Sequence, residues 1–548
     1  PASAANVVSA AATIARRGYA VAATIVTSYH SAHVSGRDSL MRRYLAATAA
    51  LIVAAMASAA TPSDGMGLSH LAKLAEVDER FQAYNVEMVE VTGGRFWAPY
   101  GGPAGEVYRE RPPVDLADPR LIHLAKHLGP SLMRVSGTWA NNTYLEAGGE
   151  RLEAPPQGYK QVLTREQWQG VVAFSRAVDA PIVTSFAVSA GTRGPDGAWQ
   201  SDQAQRMADL TREAGGSIYA AEFFNEPNVP GATIGMPQGY DAADYAADFR
   251  TFRDWARKAL PSMIILGPGG VGEGAMARDV PVNVQMQGSG NIRTEDIMRA
   301  NPGSLDAVSY HFYGSVSQRC AFMKIGTAVK EDALAPEWLD RTLIDYSYYA
   351  GLRDRYEPGK PVWNTETAQA ACGGSPWAAS FLDSFRYLNQ LGALAQKGVQ
   401  VVMHNTLAAS DYALIDQDTL TPRPDYWAAV LWKRTMGATV LAPPQSPSPD
   451  MRIYAHCLAG HPGGVGLVAL NTGAAPQSLA AGRKAKAWVM TATPLDATTV
   501  RVNGRVPAID AKGELSGLDG TVVKGKLAVP GQSIAFVAVR DAGNDACR

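Results

Sequence analysis

The sequence predicts an α/β fold, a (β/α)8 TIM barrel with a C-terminal β-sandwich domain, and three observations carry that prediction. Short β-type apolar runs alternate eight times with segments of helical period between residues 81 and 437. From residue 438 the texture changes to short Val/Leu/Ala runs broken by Gly, Asn and Asp. Two of the eight expected strands end in a glutamate, where such a barrel opens its C-terminal mouth. At roughly 150 residues per domain, a chain of 548 residues has room for both parts. Apolar residues make up 46% and charged residues 18%, which excludes disorder throughout. Lys and Arg total 50 against 51 Asp and Glu, so nothing points to nucleic acid, and any polyanion site must be local.

Residues 1–60 are set apart from the fold. Met41-Arg42-Arg43, an apolar run over 44–56 and Ala57-Ser58-Ala59-Ala60 have the three regions of a secretory signal, with residues 1–40 as an upstream extension. The run is shorter than the roughly 20 residues needed to span a bilayer, so no membrane span is expected once the signal is removed. Removal takes away five Arg and one Asp, leaving a mildly acidic chain expected to be secreted or periplasmic and monomeric. Residues 61–80 could contribute a piece to the sandwich.

The expected barrel strands are 84–91, 131–135, 181–188, 217–224, 263–267, 304–311, 361–364 and 399–404. Helical stretches at 121–128, 165–177, 203–213, 242–259 and 379–397 lie between or after them. In the last, Phe381, Phe385, Leu388 and Ala395 lie near one face. Pro443, Pro444, Pro447 and Pro449 mark a linker, and strands at 464–470, 485–491, 520–527 and 533–539 form the sandwich over 438–548. The four cysteines, Cys320, Cys372, Cys457 and Cys547, include no C-x-x-C spacing, and three pairings are open. No metal-binding, dinucleotide or Walker motif appears, so no metal or cofactor is expected.

Strand four ends Ala221-Glu222-Phe223-Phe224-Asn225-Glu226-Pro227, and strand seven ends Val362-Trp363-Asn364-Thr365-Glu366-Thr367. A lone Asn-Glu-Pro reads as a helix start, with Asn capping and Pro in the first turn. A second strand-end Glu changes the reading, because retaining glycoside hydrolysis needs two carboxyls about 5 Å apart, one protonated and one ionised. Glu226 should then be raised in pKa by burial and by Glu366, while Glu366 must stay ionised and needs donors. Tyr313, in Tyr310-His311-Phe312-Tyr313 at the end of strand six, is placed to be one such donor. Asn225 would offer its amide to the sugar 2-hydroxyl.

These residues resemble a clan A retaining glycoside hydrolase. The segment from Val401-Val402-Met403-His404-Asn405 through Asp411-Tyr412-Ala413-Leu414-Ile415-Asp416 to Pro424-Asp425-Tyr426-Trp427 is similar to glycoside hydrolase family 79, the heparanase and β-glucuronidase family. Asp118-Pro119-Arg120, Met133-Arg134-Val135-Ser136-Gly137-Thr138 and Gly373-Gly374-Ser375-Pro376 add to the likeness, which covers roughly residues 80–548. The resemblance implies Glu226 as acid/base and Glu366 as nucleophile. It implies that backbone N–H groups of Cys372, Gly373 and Gly374, with Tyr412, hold the glucuronate carboxylate. Glu87, Thr138, His311 and Asn405 are further expected substrate contacts. Animal heparanases have Asp in place of Glu87 and Lys in place of Trp139, and they carry an excised linker where only 141–164 lies here. The resemblance further implies a Cys457–Cys547 bridge, and Cys320 and Cys372, after neighbouring strands, could form another. The expected activity is retaining endo-β-glucuronidase action on heparan sulfate or another glucuronic-acid-containing glycan. The alternatives are an exo-β-glucuronidase and a catalytically silent glycan-binding protein.

Overall fold

A computed structural model describes residues 67–103, 105–276 and 291–548. The expected upstream extension and signal peptide at residues 1–60, and residues 61–66, lie outside the described residues. The eight parallel strands are β1 (Gln82–Glu87), β2 (Met133–Ser136), β3 (Ile182–Thr184), β4 (Ile218–Glu222), β5 (Ile264–Gly270), β6 (Ala307–Tyr313), β7 (Val362–Ala368) and β8 (Val401–His404). They close in chain order into a barrel, β8 pairing back onto β1. Ala83, Leu132, Val183, Ala220, Leu266, Ala307, Trp363 and Met403 cluster as an apolar plug inside it. Period-two alternation sends Arg134, Glu222, Ser309 and Thr365, two residues further along their strands, into the same interior. A polar floor therefore lies between the plug and the C-terminal mouth.

Three strands end sooner than their apolar patterns suggest, β4 by two residues at Glu222. β1 stops at Glu87 because the Glu90 carboxylate accepts the Glu87 N–H at 2.6 Å, and Met88–Thr92 turns into a short helix. β3 keeps only three residues of the expected 181–188. The segment between β2 and β3 is ordered, Thr143–Glu146 pairing in parallel with Gln161–Thr164. A second ribbon, Gly94–Trp97 with Tyr108–Arg111, follows β1.

The helix α1 (Phe381–Gln396) departs from its expected single apolar face: every residue from Phe381 to Ala395 is buried. It lies between the barrel and the C-terminal sheet, whose Tyr454 donates its hydroxyl to Asn389 Oδ1 at 2.7 Å. α2 (Pro424–Thr435) shares the same core.

The C-terminal part is an antiparallel sheet domain. Its strands link in the order Lys73–Glu76, Met436–Leu441, Met451–Leu458, Val465–Asn471, Ser533–Val539 and Gln477–Thr491, with Thr521–Val529 also on the last. The hydrogen-bonded path through these strands is continuous. Val468, Leu470, Ile534 and Phe536 face the core shared with α1 and α2. The alternating Leu467, Ala469, Ala535 and Val537 face a second core with Leu479, Leu527 and Val529. Met436–Leu441 precedes the prolines, so the sheet begins before the expected linker. Cys457–Cys547 and Cys320–Cys372 are both bridged. Among the described residues, no helix is long and apolar enough to cross a membrane.

Candidate active site

The four residues of the polar floor set the geometry. Arg134 on β2, 1% exposed, donates from Nε and Nη2 to Glu222 Oε2 at 3.1 and 2.8 Å and from Nη1 to Glu366 Oε2 at 2.8 Å. Glu222 also accepts from Ser309 and Thr365 hydroxyls, each at 2.7 Å. A buried cation so enclosed cannot swing away without leaving an unpaired charge, so its direction toward Glu366 is fixed. Glu366 accepts a second strong bond, from the Tyr313 hydroxyl at 2.5 Å.

Glu226 lies just past β4 at φ 51, a left-handed conformation that side chains tolerate at about 1–3 kcal/mol of strain and that concentrates at functional sites. Asn141 fixes this turn, its Oδ1 accepting the Asn225 N–H and its Nδ2 donating to the Asn225 carbonyl, both at 2.9 Å. Asn225 Oδ1 accepts from Arg134 at 2.8 Å, which turns its Nδ2 away from the guanidinium. One ligand atom each from Glu226, Glu366 and His311 lie within 4.8 Å of one another. These three could converge on a cation, but Arg134 already supplies the positive charge against Glu366.

The two carboxyls are driven apart electrostatically. Burial raises the Glu226 pKa, the charge of Glu366 adds to it, and the His311 hydrogen bond opposes both. At Glu366 the cost of burial is outweighed by His311, Arg134 and the Tyr313 hydrogen bond, so its pKa falls below the usual carboxylate range. His311 Nδ1 lies 3.0 Å from Glu226 Oε1. Burial lowers the His311 pKa, but Glu366, Glu222 and Glu226 outweigh it and raise it to about 10. Against that, Arg134 Nη2, which can only donate, lies 3.3 Å from Nε2 and favours leaving that nitrogen bare. The Nδ1 proton facing Glu226 is present in either state.

A second polar group sits beside the pair. Asn405 Nδ2 reaches Glu87 Oε1 at 3.1 Å, the Tyr313 hydroxyl at 3.0 Å and the Tyr412 hydroxyl at 3.1 Å. Burial and the charge of Glu366 push the Glu87 carboxyl well above its usual range. Glu226, Glu366, Asn225, His311, Tyr313, Glu87, Asn405 and Tyr412 are thus brought into one site. Thr138 and Cys372 line the adjoining cleft of about 1,270 Å³.

The loop after β7 needs one correction. Cys372, Gly373 and Gly374 all have positive φ, and a Cβ on Gly374 would sit 2.7 Å from Ala378 Cβ and 3.2 Å from Tyr412. Gly374 nevertheless donates its N–H to the Ala370 carbonyl at 3.1 Å, so of the three expected amide donors only Cys372 and Gly373 remain for a ligand. The Cys320–Cys372 bridge, with Cα atoms 6.4 Å apart, ties this loop to the one after β6.

Arg134 and Glu222 were not assigned roles from the sequence, although a signal was there. Each is a charged residue inside a short apolar strand that a parallel barrel buries on both faces, and such a charge persists only with a partner.

The closed parallel barrel, with a carboxylate at the C-terminal end of its fourth and seventh strands, has the fold of solved glycosidase structures. In sequence the chain is similar to heparanases and heparanase-like proteins: it is 26% identical over 382 residues to heparanase-like protein 1 of Arabidopsis thaliana, covering 65% of each chain. It is 27% identical over 391 residues to heparanase of Rattus norvegicus, covering 62% of this chain and 68% of that one. The matches span about two thirds of each relative's length. In fold it is similar to the GH51 arabinofuranosidase from Xanthomonas axonopodis pv. citri, with a TM-score of 0.55, 17% identity and coverage of 86% and 97%. No family model matches the chain.

Proposed function

We propose that the protein is a retaining glycoside hydrolase, a heparanase-like endo-β-glucuronidase that cleaves internal glucuronic acid linkages in heparan sulfate or another glucuronic-acid-containing glycan. The observation that carries this is the pair Glu226 and Glu366, with carboxylate oxygens within 4.8 Å and pKa values displaced in opposite directions. Retaining enzymes hold their carboxyls roughly 5 to 5.5 Å apart, whereas inverting ones need room for a water between them.

In this reading Glu366 attacks the anomeric carbon while Glu226 gives its proton to the leaving oxygen, and a covalent glycosyl-enzyme forms. Glu226, now ionised, then takes a proton from the water that releases the sugar with its configuration kept. Asn225 Nδ2 would meet the 2-hydroxyl. The amides of Cys372 and Gly373, with the Tyr412 hydroxyl, would meet the glucuronate carboxylate. The two disulfides support an exported protein.

Hydrolysis of an aryl β-glucuronide followed by NMR should show the β-anomer first; an α-anomer appearing first would refute retention. Sizing the products from a glucuronic-acid polysaccharide separates internal cleavage, which yields oligosaccharides, from exo action, which yields free glucuronic acid.

A further inference from the structure

The cleft beside the carboxyl pair bears on which sugars flank the cleaved bond, a question that rests on the β-glucuronidase reading above. It runs from Cys372, beside the strand of Glu366, past Thr138 and Trp139 to Ala232, beyond the strand of Glu226. One wall is aromatic. Trp97 stacks on Tyr108 with ring centroids 4.7 Å apart and planes at 24°, and meets Trp139 edge-on at 6.2 Å. Facing solvent at the rim is Phe322, 72% exposed, on the short helix Gln318–Met323 that the Cys320–Cys372 bridge anchors. A phenylalanine left this open does no work in the core, and it lines the same cleft as the three half-buried aromatic rings, adding to its apolar surface.

The charges lining the cleft cancel: Arg95 and Lys160 stand against Glu110 and Glu153. Arg95 is further occupied by the Tyr108 ring, 4.8 Å beneath its guanidinium. Two neighbouring arginines that might have met an anion are already satisfied. Arg319, 4% exposed, is bound to Asp411 at 2.6 Å and to the Cys372 carbonyl at 3.1 Å, and Arg109 is bound through Nε to Glu106 at 3.0 Å. A polysulfated chain is captured by an excess of cations and is lost as salt screens them. An uncharged sugar instead offers apolar C–H faces to aromatic rings.

We infer that this cleft selects uncharged sugars next to the cleaved glucuronate, so that the enzyme cuts where its glycan carries no sulfate. The test compares three substrates: an unsulfated oligosaccharide alternating glucuronic acid and N-acetylglucosamine, the same backbone sulfated, and an aryl β-glucuronide. The expected result is a kcat/KM on the unsulfated chain at least about tenfold above the sulfated one. Its KM should change by less than about twofold between 50 and 500 mM NaCl. Trp97→Ala should raise that KM about tenfold, and Phe322→Ala, at an exposed site with no fold to lose, should raise it about threefold. Equal or better cleavage of the sulfated chain, a KM that climbs steeply with salt, or a KM unmoved in both variants would overturn the inference. Cleavage of the aryl glucuronide with neither chain cut would overturn it alone and leave the β-glucuronidase reading standing. Failure on all three substrates would overturn that reading and the inference together.

Discussion

The opposed pKa displacements of Glu226 and Glu366 are the property on which the proposed chemistry depends, and they make the pH profile a direct probe. The proposed mechanism requires Glu366 ionised and Glu226 protonated. It should fall on the acid side as Glu366 takes a proton, below the usual carboxylate range, and on the basic side as Glu226 loses one, above it. With an activated aryl glucuronide, Glu226→Gln should abolish the basic limb while sparing glycosyl-enzyme formation, because a good leaving group needs no proton. Glu366→Gln should lose at least about 10⁴-fold on every substrate, since no nucleophile remains. Equal loss in both variants would contradict the roles. Both glutamates were legible because each ends a strand with a mouth-facing acid after an apolar run. Arg134 also sits in a barrel strand, β2, yet carried no role until its contacts were visible, for sequence marks a buried charge but not the carboxylate it meets. The engaged amide of Gly374 was illegible for a like reason: a glycine pair announces a turn, and only coordinates say which N–H the turn consumes.

At the scale of elements, alternation of apolar runs and helical segments was enough to find all eight barrel strands, since burial on both faces leaves so little choice of residue. Where local chemistry competes, the pattern misleads. Met88–Val91 is as apolar as a strand, but Glu90 bonds back to Glu87 and the chain turns. The strands Met436–Leu441 and Met451–Leu458 flank a proline cluster that reads as linker, and their pairing is decided by long-range register that no local pattern contains. The Cys457–Cys547 bridge fastens the second of these strands to the chain's last residues across 90 positions. In the chain-entropy model a loop of that size is worth about 4 kcal/mol, because the cross-link restricts the unfolded chain. Replacing both cysteines by serine should lower stability by that order in guanidinium titration, with catalytic constants at 25 °C unchanged. A loss under about 1 kcal/mol would mean that the denatured chain holds these ends together anyway.

Taken whole, the described residues from 67 onward form one compact unit, with barrel and sheet joined through α1 and α2. The sequence suggested two domains and a linker from the change of texture near residue 437 and the proline cluster, signals that carry no information on what covers the second face of α1. Its second face is covered by the sheet: Arg452 pairs with Asp340 and donates to Asn389 Oδ1 at 3.1 Å, and Tyr454 lies flat against Gly392. A helix buried on both sides cannot be stable in a severed barrel, so the two parts should unfold together. Gly392 tests this. In an isolated helix Gly→Ala gains about 1 kcal/mol, but here the added Cβ would lie 2.2 Å from the Tyr454 ring. Overpacking of that kind costs about 1–3 kcal/mol, so Gly392→Ala should be net destabilising. It should lower the melting temperature by a few degrees, and loss of activity and loss of sheet structure should still coincide in one transition. A variant more stable than the parent, or a sheet that melts apart from the barrel, would show that the contact between α1 and the sheet is loose and that the two domains stand independently.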